Sequence, residues 1–309
     1  MKDYLSLFRW QNLLIIAVAQ ILVKYALFEP FKVTSNLALK LDGFQFSALV
    51  VATLCIAAAG YIINDINDVE TDNINKPQKN TIGKNIKEQT AFNLFIGFNI
   101  VGVGLGYYLS NDVGNSGFVI VFILTSLLLY LYASYLKHII VVSNIVISLL
   151  VSISLLIVGV FDLVPVITSS NQQTQFTFFS ILLDYALFAF LITFLRELAK
   201  DLEDIDGDYK AGINTLPIAI GRDRATKVLF GLIILSLILI ISYVLNNLYT
   251  QEIAVGYFLV GIVGPLLFLA IKTYSAKTKQ HYSLISLVLK IIMVIGLLSM
   301  LLYKYILLE

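Results

Sequence analysis

Aspartates recur at one spacing twice in this chain. In NDINDVETDNINKP, residues 64–77, Asp65, Asp68 and Asp72 stand as D-x-x-D-x-x-x-D, and in RELAKDLEDIDGDYKAG, residues 196–212, Asp201, Asp204 and Asp208 repeat the pattern. On a helix, positions i, i+3 and i+7 lie within about 60° of one another, so each set presents its carboxylates on one face. Like charges so placed repel, and an aspartate inside a membrane span costs about 2.5–3.5 kcal/mol at its centre and less at its mouth. A hard divalent cation offsets that repulsion. Mg²⁺ takes one or two carboxylates and completes its octahedron with water and phosphate oxygens, so two triads facing one cavity imply a diphosphate between them. The donor set alone admits Mn²⁺ equally. Cations suited to balance such an anion stand nearby in the sequence: Lys76 and Lys79 past the first set, Arg196 and Lys200 beside the second, and Lys137 at the end of the fourth apolar run.

Simpler readings explain less. A solvated, charged helix end would account for one triad but not for two of identical spacing. The DIDGD stretch looks calcium-like, yet with Gly207 at the sixth loop position the first position would be Leu202, which is no ligand. Glu70, Glu203 and Asp206 fall off the shared face and read as solvated surface. Lys24 and Lys290, inside apolar runs, read as snorkelling or paired within the bundle, and Trp10 as an interfacial anchor.

The elements that must position the aspartates are membrane helices. The 309 residues are 59% hydrophobic and 13% charged, far from the balance of a soluble domain. Apolar runs long enough to cross about 30 Å of hydrocarbon fall near 12–31, 44–64, 91–109, 117–136, 139–161, 178–197, 225–246, 253–273 and 283–307. They lack the alternation of barrel strands, and an open sheet cannot satisfy its backbone in lipid, so the runs are helices. The expectation is an all-α integral membrane protein with nine transmembrane helices around a central cavity opening to the cytoplasmic side. It forms a single membrane domain, 1–309, of two motif-bearing halves, about 1–138 and 139–309, with cap loops at about 65–90 and 198–224. The N-terminal run follows Lys2 and Arg9 and contains AVA at 17–19, but hydrophobicity continues past it, so it reads as a retained helix and not a signal peptide.

Basic residues orient the bundle. With nine spans, the face shared by the N-terminus and the loops after spans two, four, six and eight carries sixteen Lys and Arg, against Lys32, Lys40 and Lys304 opposite, which places the first face and the N-terminus in the cytoplasm. Both aspartate motifs lie there. The net charge of +1 is segregated by loop and leaves no nucleic-acid footprint. Cys55 as the one cysteine, with only His138 and His281, excludes disulfide frameworks and Cys/His zinc sites, so any metal is oxygen-ligated.

On these residues the chain resembles the UbiA superfamily of intramembrane prenyltransferases. NDINDVETDNINKP is similar to that family's first motif, N-D-x-x-D-x-x-x-D, and KDLEDIDGD to its second; YLYASYLK ending span four, followed by Asn144, is similar too. RELAKDLEDIDGD with AGINTLPIAIG, and the opening RWQNLL with its Arg-x-x-Asn, look most like the ether-lipid branch, the geranylgeranylglyceryl-phosphate geranylgeranyltransferases. One departure stands out. That branch continues its first motif as an Arg-Pro-rich turn, whereas NKPQKNTIGK offers Lys76 and Lys79, which keep the charge and lose the bidentate fork.

The resemblance implies Mg²⁺-dependent transfer of a polyprenyl group, geranylgeranyl in that branch, from an isoprenyl diphosphate to a lipophilic acceptor, the hydroxyl of geranylgeranylglyceryl phosphate. It implies that Asp65, Asp68, Asp72, Asp201, Asp204 and Asp208 hold two Mg²⁺ ions on the diphosphate and that Asn64 orients the first cluster. Lys137, Lys76, Lys79, Arg196 and Lys200 would meet diphosphate or phosphate, with Arg9 and Asn12 near the acceptor's phosphate. Tyr61 and Tyr132 are candidates for walls that keep water from an allylic cation. An aromatic quinone precursor as acceptor stays open on the sequence. A cation transporter would place carboxylates at the membrane midplane rather than at one mouth, and the Asp-Gly-x-x-Ala-Arg signature of CDP-alcohol phosphotransferases is missing. The partners expected are donor, acceptor and membrane lipid, with no obligate protein partner.

Overall fold

Nine helices among the described residues are long and apolar enough to cross a membrane: Trp10–Thr34, Gly43–Asn67, Glu88–Asp112, Ser116–Ser134, Val142–Val166, Gln172–Lys210, Arg222–Asn247, Glu252–Tyr274 and Lys279–Tyr305. They are numbered spans one to nine in chain order. They match the nine runs expected from hydropathy to within a few residues at most ends, and span six continues well past its apolar run, to Lys210. The structure is a computed structural model that describes residues 2–69, 81–210 and 212–308, with no side-chain detail for 306–308. Asp72, Lys76 and Lys79 lie outside the described residues.

The chain forms two compact units, residues 1–137 with 153–183, and residues 138–152 with 184–309. In the first unit, spans two, three and four pack closely because glycines remove side chains at the crossings. A Cβ on Gly102 would stand 3.1 Å from the Ala52 carbonyl of span two, and Gly106 lies under the Phe122 ring. Small residues at helix crossings are how membrane helices gain contact without a hydrophobic drive between them. Span two begins at an Asp42 cap whose carboxylate accepts from the Gln45 amide N–H while Gln45 returns a bond to the Asp42 N–H, a capping box.

Lys24 resolves into a buried ion pair. Its ammonium, 2% exposed, donates to Asp162 Oδ2 at 2.8 Å and to the Leu41 carbonyl at 2.9 Å, while Asp162 Oδ1 accepts from the Leu41 N–H at 2.8 Å. Gln175 donates to the Ala38 carbonyl at 2.8 Å. Together these bonds pin the non-helical stretch 36–42 to the unit.

Two spans contain wide turns with a common cause. Proline has no N–H to return to the carbonyl four residues back, and Val23–Phe28 before Pro30 and Leu259–Val263 before Pro265 are both π-turns. In the second unit the core combines Leu195, Leu198 and Leu202 of span six with Leu229, Leu266, Ile285 and Leu289 of spans seven, eight and nine. Span six is one helix of 39 residues that carries the whole second motif, so residues 198–210, expected as the start of a cap loop, are helical.

Candidate functional site

The first motif sits where span two ends. Asn64 and Asp65 occupy the last helical turn and Asp68 is the residue that closes it, with its N–H on the Asn64 carbonyl at 2.9 Å. Asp68 is held from both sides: Asn64 Nδ2 donates to Oδ2 at 2.7 Å and Lys137 Nζ to Oδ1 at 2.5 Å. Asp65 Oδ1 accepts from Arg9 Nη2 at 2.6 Å. Each described carboxylate of this motif therefore carries its own cation. These are charge-assisted bonds, the strong kind.

Local backbone supplies both cations. Arg9 joins the short helix Lys2–Leu7 to span one in the left-handed region, φ 48° and ψ 51°, a conformation few non-glycine residues adopt. That bend turns its guanidinium toward Asp65 and over the Tyr61 ring, 5.0 Å from the centroid. Desolvation, the largest influence, works against the Arg9 charge, but Asp65, Tyr61 and Tyr132 together outweigh it, and the guanidinium is held above its ordinary range. The two tyrosines picked out as cation-shielding walls thus flank Arg9. Lys137 follows the end of span four in a single 3-10 turn, Leu136–His138. Four residues later Val141 takes φ 67°, strained for a β-branched side chain.

The second motif is built differently. Asp201 Oδ2 accepts from the side-chain amide of Asn144 at 2.8 Å. Asp204 lies 3.5 Å from Lys279 Nζ, an exposed ammonium. Asp208 is a half-buried residue on the same helix, and its charge acts on Asp201. Arg196 and Lys200 bond Glu197, at 3.2 Å and at 3.0 Å to both oxygens respectively. Glu197 was missed in the sequence, although it stands four residues before Asp201 and so on the same stripe. Asn144 was visible only through the family pattern. Asp206, read as solvated, is exposed and pairs with Arg222 at 3.0 Å. Asn12 has a bonding partner within the structure.

Among the described residues no three His, Cys, Asp or Glu side chains gather tightly enough to enclose a metal by themselves. Helical spacing aligns the carboxylates but leaves them a turn apart, about 5 Å. That suits Mg²⁺, which needs one or two carboxylates and takes its other ligands from water and phosphate. It does not suit a closed calcium or zinc cage. Asp65 with Asp68, and Asp201 with Asp204, are hard-oxygen pairs at helix positions near a span end and so fit the ion.

A family model described as the UbiA prenyltransferase family matches residues 34–292, a range that contains both motifs. A digeranylgeranylglyceryl phosphate synthase from Saccharolobus solfataricus is 31% identical over 242 residues, 78% of this chain and 76% of its own. The protein of that name from Sulfolobus acidocaldarius is 32% identical over 236 residues, covering 75% and 76%. A solved structure concerning digeranylgeranylglyceryl phosphate synthase in membranes aligns over 99% of each chain with 26% identity and a TM-score of 0.66. A UbiA homolog from Archaeoglobus fulgidus bound to GPP and Mg²⁺ shares the fold, with a TM-score of 0.62 at 15% identity over 97% of this chain and 99% of that one.

Proposed function

Because this chain belongs to the UbiA prenyltransferase family, a multi-pass membrane enzyme family, we propose that it moves a geranylgeranyl group from its diphosphate to the free hydroxyl of geranylgeranylglyceryl phosphate. The observation that carries this is the repeated aspartate pair, Asp65 with Asp68 and Asp201 with Asp204, on a chain about 30% identical over most of its length to synthases of that product.

In this reading the aspartates of each motif serve metal-dependent diphosphate binding. Asp65, Asp68, Asp201 and Asp204 hold two Mg²⁺ ions, with Asp72 and Asp208 assisting; the bound metal supplies charge stabilisation to the departing diphosphate. The chain's own groups do the rest. Asn64 and Lys137 fix the Asp68 carboxylate, and Arg9 fixes Asp65, so that the carboxylates are aimed before substrate arrives. Asn144 holds Asp201 through an amide, without neutralising it. Arg196, Lys200, Lys76 and Lys79 balance phosphate charge, and Asn12 supports the Arg9 end. The allylic C–O bond breaks with its electron pair leaving on the diphosphate, negative charge that fixed cations stabilise. The acceptor hydroxyl oxygen then bonds to the allylic carbon, and its proton leaves to the diphosphate or to a motif carboxylate. Tyr61 and Tyr132 keep water from competing. The prenyl tail lies in the apolar bundle, where burial contributes about 0.8 kcal/mol per methylene. The sixteen-to-three bias of basic residues supports a cytoplasmic mouth and a cytoplasmic N-terminus.

The test supplies purified protein, Mg²⁺ and geranylgeranyl diphosphate with geranylgeranylglyceryl phosphate, hydroxybenzoate or dihydroxynaphthoate offered separately. Ether product from the glyceryl phosphate is the expected result. Product only from an aromatic acceptor would overturn the choice of acceptor and leave prenyl transfer standing.

A further inference from the structure

Spans six and nine of the second unit run antiparallel in a steady register. Tyr185 Oη meets Ser299 Oγ at 2.7 Å, Gly296 lies against the Phe188 ring, Thr193 Oγ1 reaches Met293 Sδ at 3.9 Å, and Lys279 Nζ lies 3.5 Å from Asp204. As residue numbers rise along one span they fall nearly in step along the other. Three residues past Thr193 and three short of Met293 therefore bring Arg196 and Lys290 to one level, and their like charges act on one another. Leu195 and Ala199 of span six share a buried core with Leu289 and Ile292 of span nine, which fixes this level from both sides.

The result is a cluster of cations. Arg196 and Lys200 both bond Glu197, and Lys290 stands at the level of Arg196, within helices that cross the membrane. Arg196 Nε is buried and has no hydrogen-bond partner among the described residues. Charge of one sign gathered inside a span is costly and marks a substrate path. Arg196 lies about 7.5 Å along the axis from Asp201, away from the motif-bearing end of span six, while Lys200 is next to Asp201 and its charge acts on it, so the cluster extends from the motif deeper into the span.

Its chemistry fits a phosphomonoester. Such a group carries a charge of about −1.5 to −2 and three terminal oxygens, enough to meet a guanidinium and two ammonium groups. A glyceryl phosphate joins that phosphate to its reacting hydroxyl by a three-carbon frame, so its receptor must stand a short way from the carboxylates that hold the donor. We propose that Arg196, Lys200 and Lys290 are the receptor for the acceptor's phosphate, with Glu197 holding Arg196 and Lys200 in place until phosphate takes over their hydrogen bonds. This rests on the prenyl-transfer reading above.

The experiment measures steady-state transfer by the full-length protein in lipid, with geranylgeranyl diphosphate and Mg²⁺, to geranylgeranylglyceryl phosphate and to phosphate-free geranylgeranylglycerol. Lys290→Met is expected to raise the KM of the phosphorylated acceptor about tenfold or more, the effect of losing one charged hydrogen bond. The donor KM stays unchanged, and the preference for the phosphorylated acceptor shrinks by the same factor. Lys290→Arg restores it. An unchanged acceptor KM overturns the proposal, and so does a raised donor KM, which would put the lysine on the diphosphate. An acceptor KM that Lys290→Arg fails to restore reduces Lys290 to a structural role and overturns it too. If the wild-type protein ignores the phosphorylated acceptor altogether, the glyceryl-phosphate reading of the acceptor falls together with the receptor.

Discussion

The two aspartate motifs share a spacing and differ in how their charge is met. At the end of span two, Asp65 and Asp68 are each bonded by a full cation drawn from elsewhere in the first unit, Arg9 from the N-terminal bend and Lys137 from the turn after span four. On span six, Asp201 receives a neutral amide from Asn144, Asp204 stands 3.5 Å from an exposed lysine, and Arg196 and Lys200 bond Glu197. The described carboxylates of the first motif are thus each bonded by a full cation before substrate binds, whereas Asp201 is held by a neutral amide. A carboxylate held by a neutral donor opens more readily to a divalent ion than one bonded to Arg or Lys. A pair locked to Arg and Lys is the better oriented. On this account the second motif captures metal and the first positions phosphate.

Removing a carboxylate should erase the comparison altogether. Asp68→Ala or Asp201→Ala is expected to lower turnover by about 10³-fold or more, because each removes a ligand to a metal that stabilises the leaving group; a radiometric prenyl-transfer assay reads this. The next effect separates the motifs. Lys137→Met should cut kcat about 10²-fold with little change in the Mg²⁺ concentration needed for half-activity, whereas Asn144→Ala should raise that concentration about 10-fold, the usual cost of losing a group that orients a metal ligand. Metal titrations of both variants measure the difference, and equal shifts would remove the division of labour. Smallest of all, Lys279→Ala should change activity less than about 2-fold, since its ammonium is exposed and such pairs contribute about 0–1 kcal/mol.

A third ion pair tests whether position or charge matters. Lys24 and Asp162 are fully buried in the first unit and touch neither motif. Lys24→Met should destabilise the protein by about 3–5 kcal/mol by leaving Asp162 buried without its partner, seen as a lower thermal midpoint in detergent, with the donor KM unaffected.

Much of this architecture was legible in the residues because the bilayer restricts the choices. Nine apolar runs can only be helices, and the twin D-x-x-D-x-x-x-D spacing survives as faces on two of them. The contacts made by charges within spans were not legible. Lys24 gave no hint of Asp162, which is 138 residues away, and Lys290 gave no hint of Arg196, because pairing between helices depends on register that no periodicity encodes. Arg196 and Lys200 were expected beside the aspartates by proximity in sequence. A helix turns each residue 100° from the last, and both bond Glu197.

The central proposal is that the aspartates of each motif are needed for metal-dependent binding of the diphosphate. The most direct measurement is equilibrium binding of a non-reactive geranylgeranyl diphosphate analogue to wild-type protein, Asp68→Ala and Asp201→Ala, each with Mg²⁺ and with chelator. Binding that requires Mg²⁺ in the wild type and is lost in either variant is the predicted result. Full-strength, Mg²⁺-dependent binding that survives in either variant would contradict it.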